Sequence, residues 1–262
     1  QLISPEHRVV RKKFNSENYI LERIEDVLKL KSPFIVPVGS AGHLGGRANI
    51  RKELIKFLAW LIAEGSVDKS GRGIGRVSIY QSKEKSLANY KEIVAVCKKL
   101  GLKYTERAQE GLGAKCKVFR FNSASNKKIY DYFGSNKNRG IKFIPEIIIR
   151  ADKESARLFL QTYIKADGHE RCKITTTSET IRDGLMQLAV QAGYGATVHI
   201  RKPDNELSKK NRYIIRLIEH KDTYIKQVKQ IDYQGVIWCP NTDNETVVAR
   251  RNGKIFITGN TP

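Results

Sequence analysis

The sequence predicts an α+β fold in which one unit is used twice about a pseudo-two-fold axis. Two helical runs carry that expectation, Phe57-Leu58-Ala59-Trp60-Leu61-Ile62-Ala63-Glu64-Gly65 and Leu160-Gln161-Thr162-Tyr163-Ile164-Lys165-Ala166-Asp167-Gly168. Each closes on alanine, a carboxylate and glycine, and the two closings lie about a hundred residues apart. Behind each run the same order of strand-like and helical stretches follows. Apolar residues, 40% of the 262, are spread along the whole length, so one large domain or two ordinary ones can bury a core.

Each element has a local reason. The glycine after each run suits a helix end, where a left-handed residue stops the helix at little cost. Small residues recur four apart, Ala59 with Ala63 and Thr162 with Ala166, giving each helix a face that a second backbone can approach. In the first half Arg76-Val77-Ser78-Ile79-Tyr80 reads as a strand. A helix from Leu87 to Leu100 ended by Gly101 follows, then a strand from Cys116 to Phe121 and a short helix near Lys127 to Phe133. The second half repeats the order, with a strand from Cys172 to Thr176 and a helix from Ile181 to Ala192 ended by Gly193. Strands Ala196 to Arg201 and Arg212 to Ile218 complete it. Each half reads roughly as α-β-β-α-β-β-α, and packing the two runs on the axis brings Glu64 and Asp167 side by side. A carboxylate at a helix C-terminus faces the negative end of the macrodipole, so a positive group is expected beside it.

The formal net charge is +21, from 48 Lys+Arg against 27 Asp+Glu. The excess recurs along the chain, at Arg11-Lys12-Lys13, Lys98-Lys99, Lys127-Lys128, Arg201-Lys202, Lys209-Lys210 and Arg250-Arg251. Such self-repulsion points to a polyanionic partner, with nucleic acid first among the candidates. On the strands, Arg76, Ser78 and Tyr80 share one face, as do Lys117, Phe119 and Phe121 on theirs, with Cys116, Val118 and Arg120 opposite. Alternation alone leaves open which face meets the partner. The four cysteines, Cys97, Cys116, Cys172 and Cys239, have neither metal-ligand spacing nor a disulfide rhythm. Cys97, inside an apolar helical run, reads as a core residue. No apolar run reaches the ~20 residues of a membrane span, and no signal-peptide pattern opens the chain. A cytoplasmic setting without membrane association is expected.

The paired runs resemble the signature motifs of LAGLIDADG (dodecapeptide) homing endonucleases, and the likeness extends over roughly 46–221. Glu64 stands where the family has its first Asp, which keeps the carboxylate. Trp60 and Lys165 depart from the Leu and Asp that the family's name gives. The resemblance implies a duplicated αββαββα endonuclease that cuts both strands of a double-stranded DNA target. Glu64 and Asp167 would be its shared ligands for Mg²⁺, with Mn²⁺ as a substitute. It also implies a lysine ahead of a proline-containing segment upstream of the second motif. Lys142-Phe143-Ile144-Pro145 matches, making Lys142 the candidate for polarising the water network, with Lys221 a weaker candidate for its counterpart.

The flanks resemble a second family, the Hint splicing domain of inteins. Ser4-Pro5-Glu6-His7 is similar to its Thr-x-x-His block, and the segment Tyr19 to Val38 resembles the strand-rich stretch before an inserted endonuclease. Gln234 to Pro240 and Lys254 to Asn260 resemble the two C-terminal splicing blocks. The resemblance implies that Asn260 cyclises to cut its bond to Thr261, and that Thr261 is the first host (extein) residue and a nucleophile. His7 would polarise the upstream scissile carbonyl or protonate its leaving amine. Cys239 stands where the family often has a carboxylate, either assisting or carrying the acyl group. The subclass with that second chemistry has Trp two residues beyond the histidine, where Val9 stands here. Gly259 replaces the usual penultimate histidine, so cyclisation is either slow or assisted by another group; restoring a histidine there should speed it in the first case and change little in the second.

The expected organisation is a splicing-domain remnant and linker over 1–45 and the endonuclease over 46–221, with repeats at about 46–150 and 151–221. The C-side of the splicing domain follows over 222–260, then two extein residues, 261–262. The block holding an intein's first residue is missing, so the expectation is either a fragment of a longer chain or the C-terminal part of a split intein with an N-terminal intein segment as partner, beside the exteins and the intein-less host gene as DNA target. The rival readings are a non-cleaving LAGLIDADG regulator or RNA maturase, and a splicing-only intein with a decayed endonuclease.

Overall fold

The computed structural model describes residues 2–13, 15–30, 32–39, 50–68, 75–108, 116–134, 141–169, 172–203 and 210–261. The predicted boundary at 45/46, most of the Gly/Arg-rich loop after Gly65, and Lys209 lie outside the described residues. The chain is mixed α and β. Its elements are β1 (Arg8–Lys12), β2 (Tyr19–Arg23), α1 (Ile24–Lys29), β3 (Phe34–Pro37), α2 (Lys52–Glu64), β4 (Gly65–Asp68) and β5 (Arg76–Ser82). There follow α3 (Leu87–Lys99), β6 (Tyr104–Ala108), β7 (Cys116–Phe121), α4 (Ser123–Asp131), α5 (Glu146–Ile149) and α6 (Lys153–Asp167). The remainder are β8 (Gly168–His169), β9 (Lys173–Thr176), α7 (Glu179–Gln191), β10 (Gly195–Arg201), β11 (Arg212–Ile218), β12 (Asp222–Ile225), β13 (Thr246–Arg251) and β14 (Lys254–Gly259).

The two signature runs form the centre of the molecule. In α2 every residue from Phe57 to Ile62 has 0% exposure, and in α6 Phe159, Leu160 and Tyr163 are buried. Each such Leu or Phe contributes about 1.5–3 kcal/mol on burial. The small-residue face is present: Ala59 is fully buried, and Thr162, 1% exposed, turns its hydroxyl back to the Leu158 carbonyl at 2.8 Å. That hydroxyl therefore meets the facing helix without an unsatisfied polar atom. Gly65 and Gly168 repeat one another almost angle for angle, with φ/ψ of −90/160 and −89/158. Both are extended rather than left-handed, unlike Gly101 and Gly193. Close approach explains them: a Cβ on Gly65 would lie 2.1 Å from the Leu61 carbonyl oxygen, and one on Gly168 would lie 2.4 Å from that of Ile164. Each helix passes directly into a strand there, and no side chain fits at the corner.

The duplication extends to sheet order, but the closing helix expected of each repeat is present only in the first half, as α4; among the described residues β11 is followed by β12. One sheet runs β4-β5-β7-β6, and the other contains β8-β9-β11-β10, each following the same first-second-fourth-third order within its half. The inner faces carry Val77, Ile79, Phe119 and Phe121 in one half and Ile174, Ala196, Ile215 and Leu217 in the other, all within one core cluster around α2 and α6. A third sheet, β12-β3-β1-β2, with α1 has its own small core of Val9, Ile24, Val27, Phe34 and Val36. It joins residues from both ends of the chain, since β12 pairs along β3 from Asp222↔Pro37 to Ile225↔Phe34. The C-terminal hairpin goes elsewhere: β14 pairs with β10 and makes the second-half sheet six-stranded, in the order β13-β14-β10-β11-β9-β8.

Candidate functional site

Glu64 is the last residue of α2 and Asp167 the last of α6, so the packing of these helices sets the two carboxylates in one electrostatic neighbourhood. Burial, and then the charge of Asp167, push the Glu64 carboxyl above the ordinary range, while Lys142 opposes the shift. The positive group expected there is Lys142. Its ammonium donates to the carbonyls of Ile62 (2.8 Å) and Ala63 (3.1 Å), capping the end of α2 that bears Glu64. Although much of the Lys142 side chain is exposed, burial of its charged end lowers its pKa, against the raising influence of Asp167 and Glu64. Tyr163, one turn before Asp167, is pushed far up by burial and by both carboxylates. Lys221 is placed apart, with its carbonyl receiving Val38 N–H (2.7 Å) and Gly39 N–H (3.2 Å) beside the small sheet.

The departures from the motif have local explanations. Lys165 lies 3.7 Å from Glu92 of α3, which also pairs with Lys56 of α2, so one carboxylate ties the two central helices. Trp60 is fully buried and fills the core, its indole N–H without a partner among the described residues.

Two carboxylates suit Mg²⁺, a hard cation that takes oxygen ligands and keeps several waters. Among the described residues no group of three or more His, Cys, Asp and Glu gathers to hold a metal, so Glu64 and Asp167 would hold such an ion with water in the remaining positions. Asp167 raises the Glu64 pKa more than Lys142 lowers it, and two such neighbouring carboxylates are a donor set that a divalent ion fits.

The strand registers settle which sheet faces point away from the core. Ser78 pairs with Arg120 and Tyr80 with Val118, while Arg120 faces Thr105 and Val118 faces Arg107. Arg76, Ser78, Tyr80, Val118 and Arg120 therefore share the outward face, and Phe119 and Phe121 belong to the core. In the second half Thr197↔Arg216, His199↔Ile214 and Arg201↔Arg212 lie outward.

A second cluster forms at the C-terminal end of β14. The turn closed by the His7 N–H to Ser4 carbonyl bond (3.2 Å) delivers His7, 7% exposed, between two hydroxyls. Its Nε2 lies 2.8 Å from Thr258 Oγ1 and its Nδ1 3.1 Å from Thr261 Oγ1. Burial and the neighbouring Arg8 lower the His7 pKa, favouring the neutral ring, which has one donor and one acceptor for the two hydroxyls. Asn260 is buried; its carbonyl accepts the Arg8 N–H at 3.1 Å, and its Oδ1 accepts from the Arg8 guanidinium. That guanidinium also meets Glu245 at 2.9 Å. The Thr261 N–H donates to Cys239 Sγ at 2.8 Å, which sets the thiol on the nitrogen of the Asn260–Thr261 bond. Arg8 and Thr258 are the members that sequence reasoning did not single out. Ser4 enters through its main chain.

Gly259 differs from expectation in an informative way. A Cβ there would lie 2.6 Å from the Arg8 carbonyl oxygen and 2.6 Å from Leu21 Cδ2. Because β14 passes so close over β1, a histidine cannot simply be restored at this position.

No protein-family model matches the chain, and no curated protein matches it. Among solved structures, I-DmoI in complex with DNA and Mn is 18% identical, with 63% of this chain and 89% of that one covered at a TM-score of 0.44. I-DmoI with DNA and Ca gives 18% identity, 63% and 82% coverage and a TM-score of 0.44. Full-length DUF199/WhiA from Thermatoga maritima is 16% identical over 64% of this chain and 52% of that one, with a TM-score of 0.40. The structural neighbours of this chain thus include the homing endonuclease I-DmoI and WhiA, a protein with an N-terminal LAGLIDADG domain.

Proposed function

We propose that the chain is a site-specific, divalent-metal-dependent DNA endonuclease carried within a protein-splicing element. The observation that supports the endonuclease reading best is the meeting of Glu64, Asp167 and Lys142 at the ends of two buried, similarly built helices. Glu64 and Asp167 would hold Mg²⁺ or Mn²⁺, which when bound activates water and stabilises a leaving oxygen in phosphodiester hydrolysis. Lys142 holds positive charge beside the reacting phosphate and orders water there. The outward sheet faces, with Arg76, Arg107 and Arg120 in one half and Lys173, Arg201, Arg212 and Arg216 in the other, would seat double-stranded DNA. The deciding experiment is cleavage of a plasmid carrying the uninterrupted host gene, with Mg²⁺. Specific binding without nicking or cutting would leave the regulator or maturase reading in its place.

The splicing reading has its own support in the gathering of His7, Cys239, Asn260 and Thr261. The Asn260 amide nitrogen attacks its own main-chain carbonyl carbon, the bond to Thr261 nitrogen breaks, and the leaving amine takes up a proton. The Arg8 N–H stabilises charge on the attacked carbonyl oxygen, as an oxyanion-hole donor does. Cys239 sits at the leaving nitrogen, and neutral His7 serves as base to the Thr261 hydroxyl. The N-terminal intein segment and the host exteins are the partners this reading requires. Exposed Val236 and Trp238, beside Cys239, offer a surface for that segment.

A further inference from the structure

The duplicated unit accounts for four strands in each half, yet the second-half sheet has six. The added pair, β14 and β13, comes from the C-terminal segment and attaches to the outer edge strand β10, whose counterpart in the first half is β6. The attachment is made at one register position, Thr197↔Lys254, beside the hairpin turn. Val198 N–H donates to the Gly253 carbonyl at 2.7 Å, and Ile255 joins the main core. Arg250 reaches Asp183 and Met186 of α7 on the core side. The tight turn at Asn252 (φ 50) and Gly253 (φ 73) has the two positive φ values of a type I′ hairpin, which fixes the direction of the strands.

Register then determines what the hairpin shows on the other side. Arg251 pairs with Lys254, Lys254 with Thr197, Thr197 with Arg216, and Arg216 with Lys173. Directly paired residues share a face, so these five side chains form one row across five strands. Four are cations, all exposed, and none is ion-paired to a described residue. Ile255 and Arg250 point to the core side, as alternation requires for Lys254 and Arg251 to point outward. With strands ~4.8 Å apart, the duplicated four span about 14 Å and the six about 24 Å. The major groove is about 12 Å wide, so the outer edge of the widened face meets phosphates rather than base edges of that groove.

We propose that the β13–β14 hairpin is a DNA-backbone clamp, in which Arg251 and Lys254 continue the endonuclease face and bind phosphates of duplex DNA. The proposal rests on the reading of the outward sheet faces as the DNA surface. The strand that leads to Asn260 would then also hold the DNA.

The test uses the full chain and a random-sequence 30-base-pair duplex, with affinity measured by fluorescence anisotropy across a salt series. Three double variants are compared: Arg251→Gln/Lys254→Gln, Arg216→Gln/Lys173→Gln, and Lys91→Gln/Lys98→Gln on the exposed side of α3. Removing one cation that neutralises a phosphate should reduce the log–log salt slope by about 0.9, so the hairpin pair should lower it by nearly 2, as should the Arg216/Lys173 pair. The α3 pair should leave it unchanged. A hairpin variant with the parental slope, beside a reduced slope for Arg216/Lys173, overturns the clamp while keeping the DNA face. Equal reductions in all three variants would reduce the effect to net charge and also overturn it. No change in any variant would remove the DNA face itself and the clamp with it. Circular dichroism melting of the variants separates weaker phosphate binding from unfolding.

Discussion

The Lys142 ammonium lies 2.8 Å from the carbonyl oxygen of Ile62, two residues before the carboxylate of Glu64. One cation thus answers both the exposed carbonyls of a helix end and the anion placed at the wrong pole of its dipole. Lys142→Met should lower cleavage by about a hundredfold or more, the scale of losing one preorganised electrostatic donor. DNA affinity should change little, because the residue serves the helix end and not the sheet faces. Cleavage within a few-fold of the parent in a Mg²⁺ titration would refute the assignment.

Glu64 gives a stability prediction with a definite sign. Its folded pKa is raised above the ordinary value of 4.5, so the folded chain holds that proton more tightly than the unfolded one. Its contribution to stability is therefore greatest at low pH and declines as pH rises through the folded value. Glu64→Gln should melt at higher temperature than the parent near neutral pH in EDTA, and should abolish cleavage. Mg²⁺ should raise the parent's melting temperature and leave the variant's almost unchanged. A parent insensitive to Mg²⁺ would argue against a metal between the carboxylates. Asp167→Asn is the matching test from the other helix.

The duplicated centre was legible because its constraints are local: small residues four apart, a terminal carboxylate, and glycine at a crowded corner. The conformation of Gly65 and Gly168 was not, since sequence does not distinguish a left-handed stop from a helix running straight into a strand. β4 and β8 escaped notice because they are short and follow directly on helix ends, and β6 because its residues are almost all exposed and show no apolar alternation. Lys142 is far from Glu64 in sequence and was found only through a motif resemblance. The attachment of β14 to β10 was invisible, because a strand's pattern records which face is buried but not its partner. Arg8 was hidden for a similar reason: its N–H and guanidinium act on a residue at the other end of the chain.

Gly259 and Arg8 make a prediction that reverses the simplest sequence expectation. With backbone 2.6 Å from the position of any added Cβ, Gly259→His should separate β14 from β1. The variant should slow cleavage at Asn260 and lower the melting temperature, through a stability loss of roughly 1–3 kcal/mol, the cost of overpacking. Gly259→Ala should show the same direction with a smaller effect. Faster cyclisation by Gly259→His would mean that the strands separate freely at this point.

His7 adjoins the bond between Asn260 and Thr261 through the Thr261 hydroxyl. Its folded pKa is depressed below 6.5, so its contribution to stability is present above that pH and is lost as pH falls from there through the folded value. His7→Gln should remove this part of the acid sensitivity while keeping a polar partner for the hydroxyls of Thr258 and Thr261. In a chain completed with an N-terminal splicing segment, neutral His7 should sustain reaction to lower pH than an ordinary imidazole would. Mass spectrometry should then find the released chain ending in a succinimide at Asn260, lighter than free asparagine by about 18 Da, one water, from the intramolecular attack that proximity favours. Asn260→Ala should stop release of Thr261, because no side-chain amide remains to attack. Cys239→Ala divides the two roles of the thiol. Loss of the branched intermediate marks an acyl carrier, whereas slower release with the branch retained marks a group that assists the leaving Thr261 nitrogen 2.8 Å away. A completed, folded chain that keeps Thr261 attached would defeat the splicing reading and leave the endonuclease reading to stand on Glu64 and Asp167.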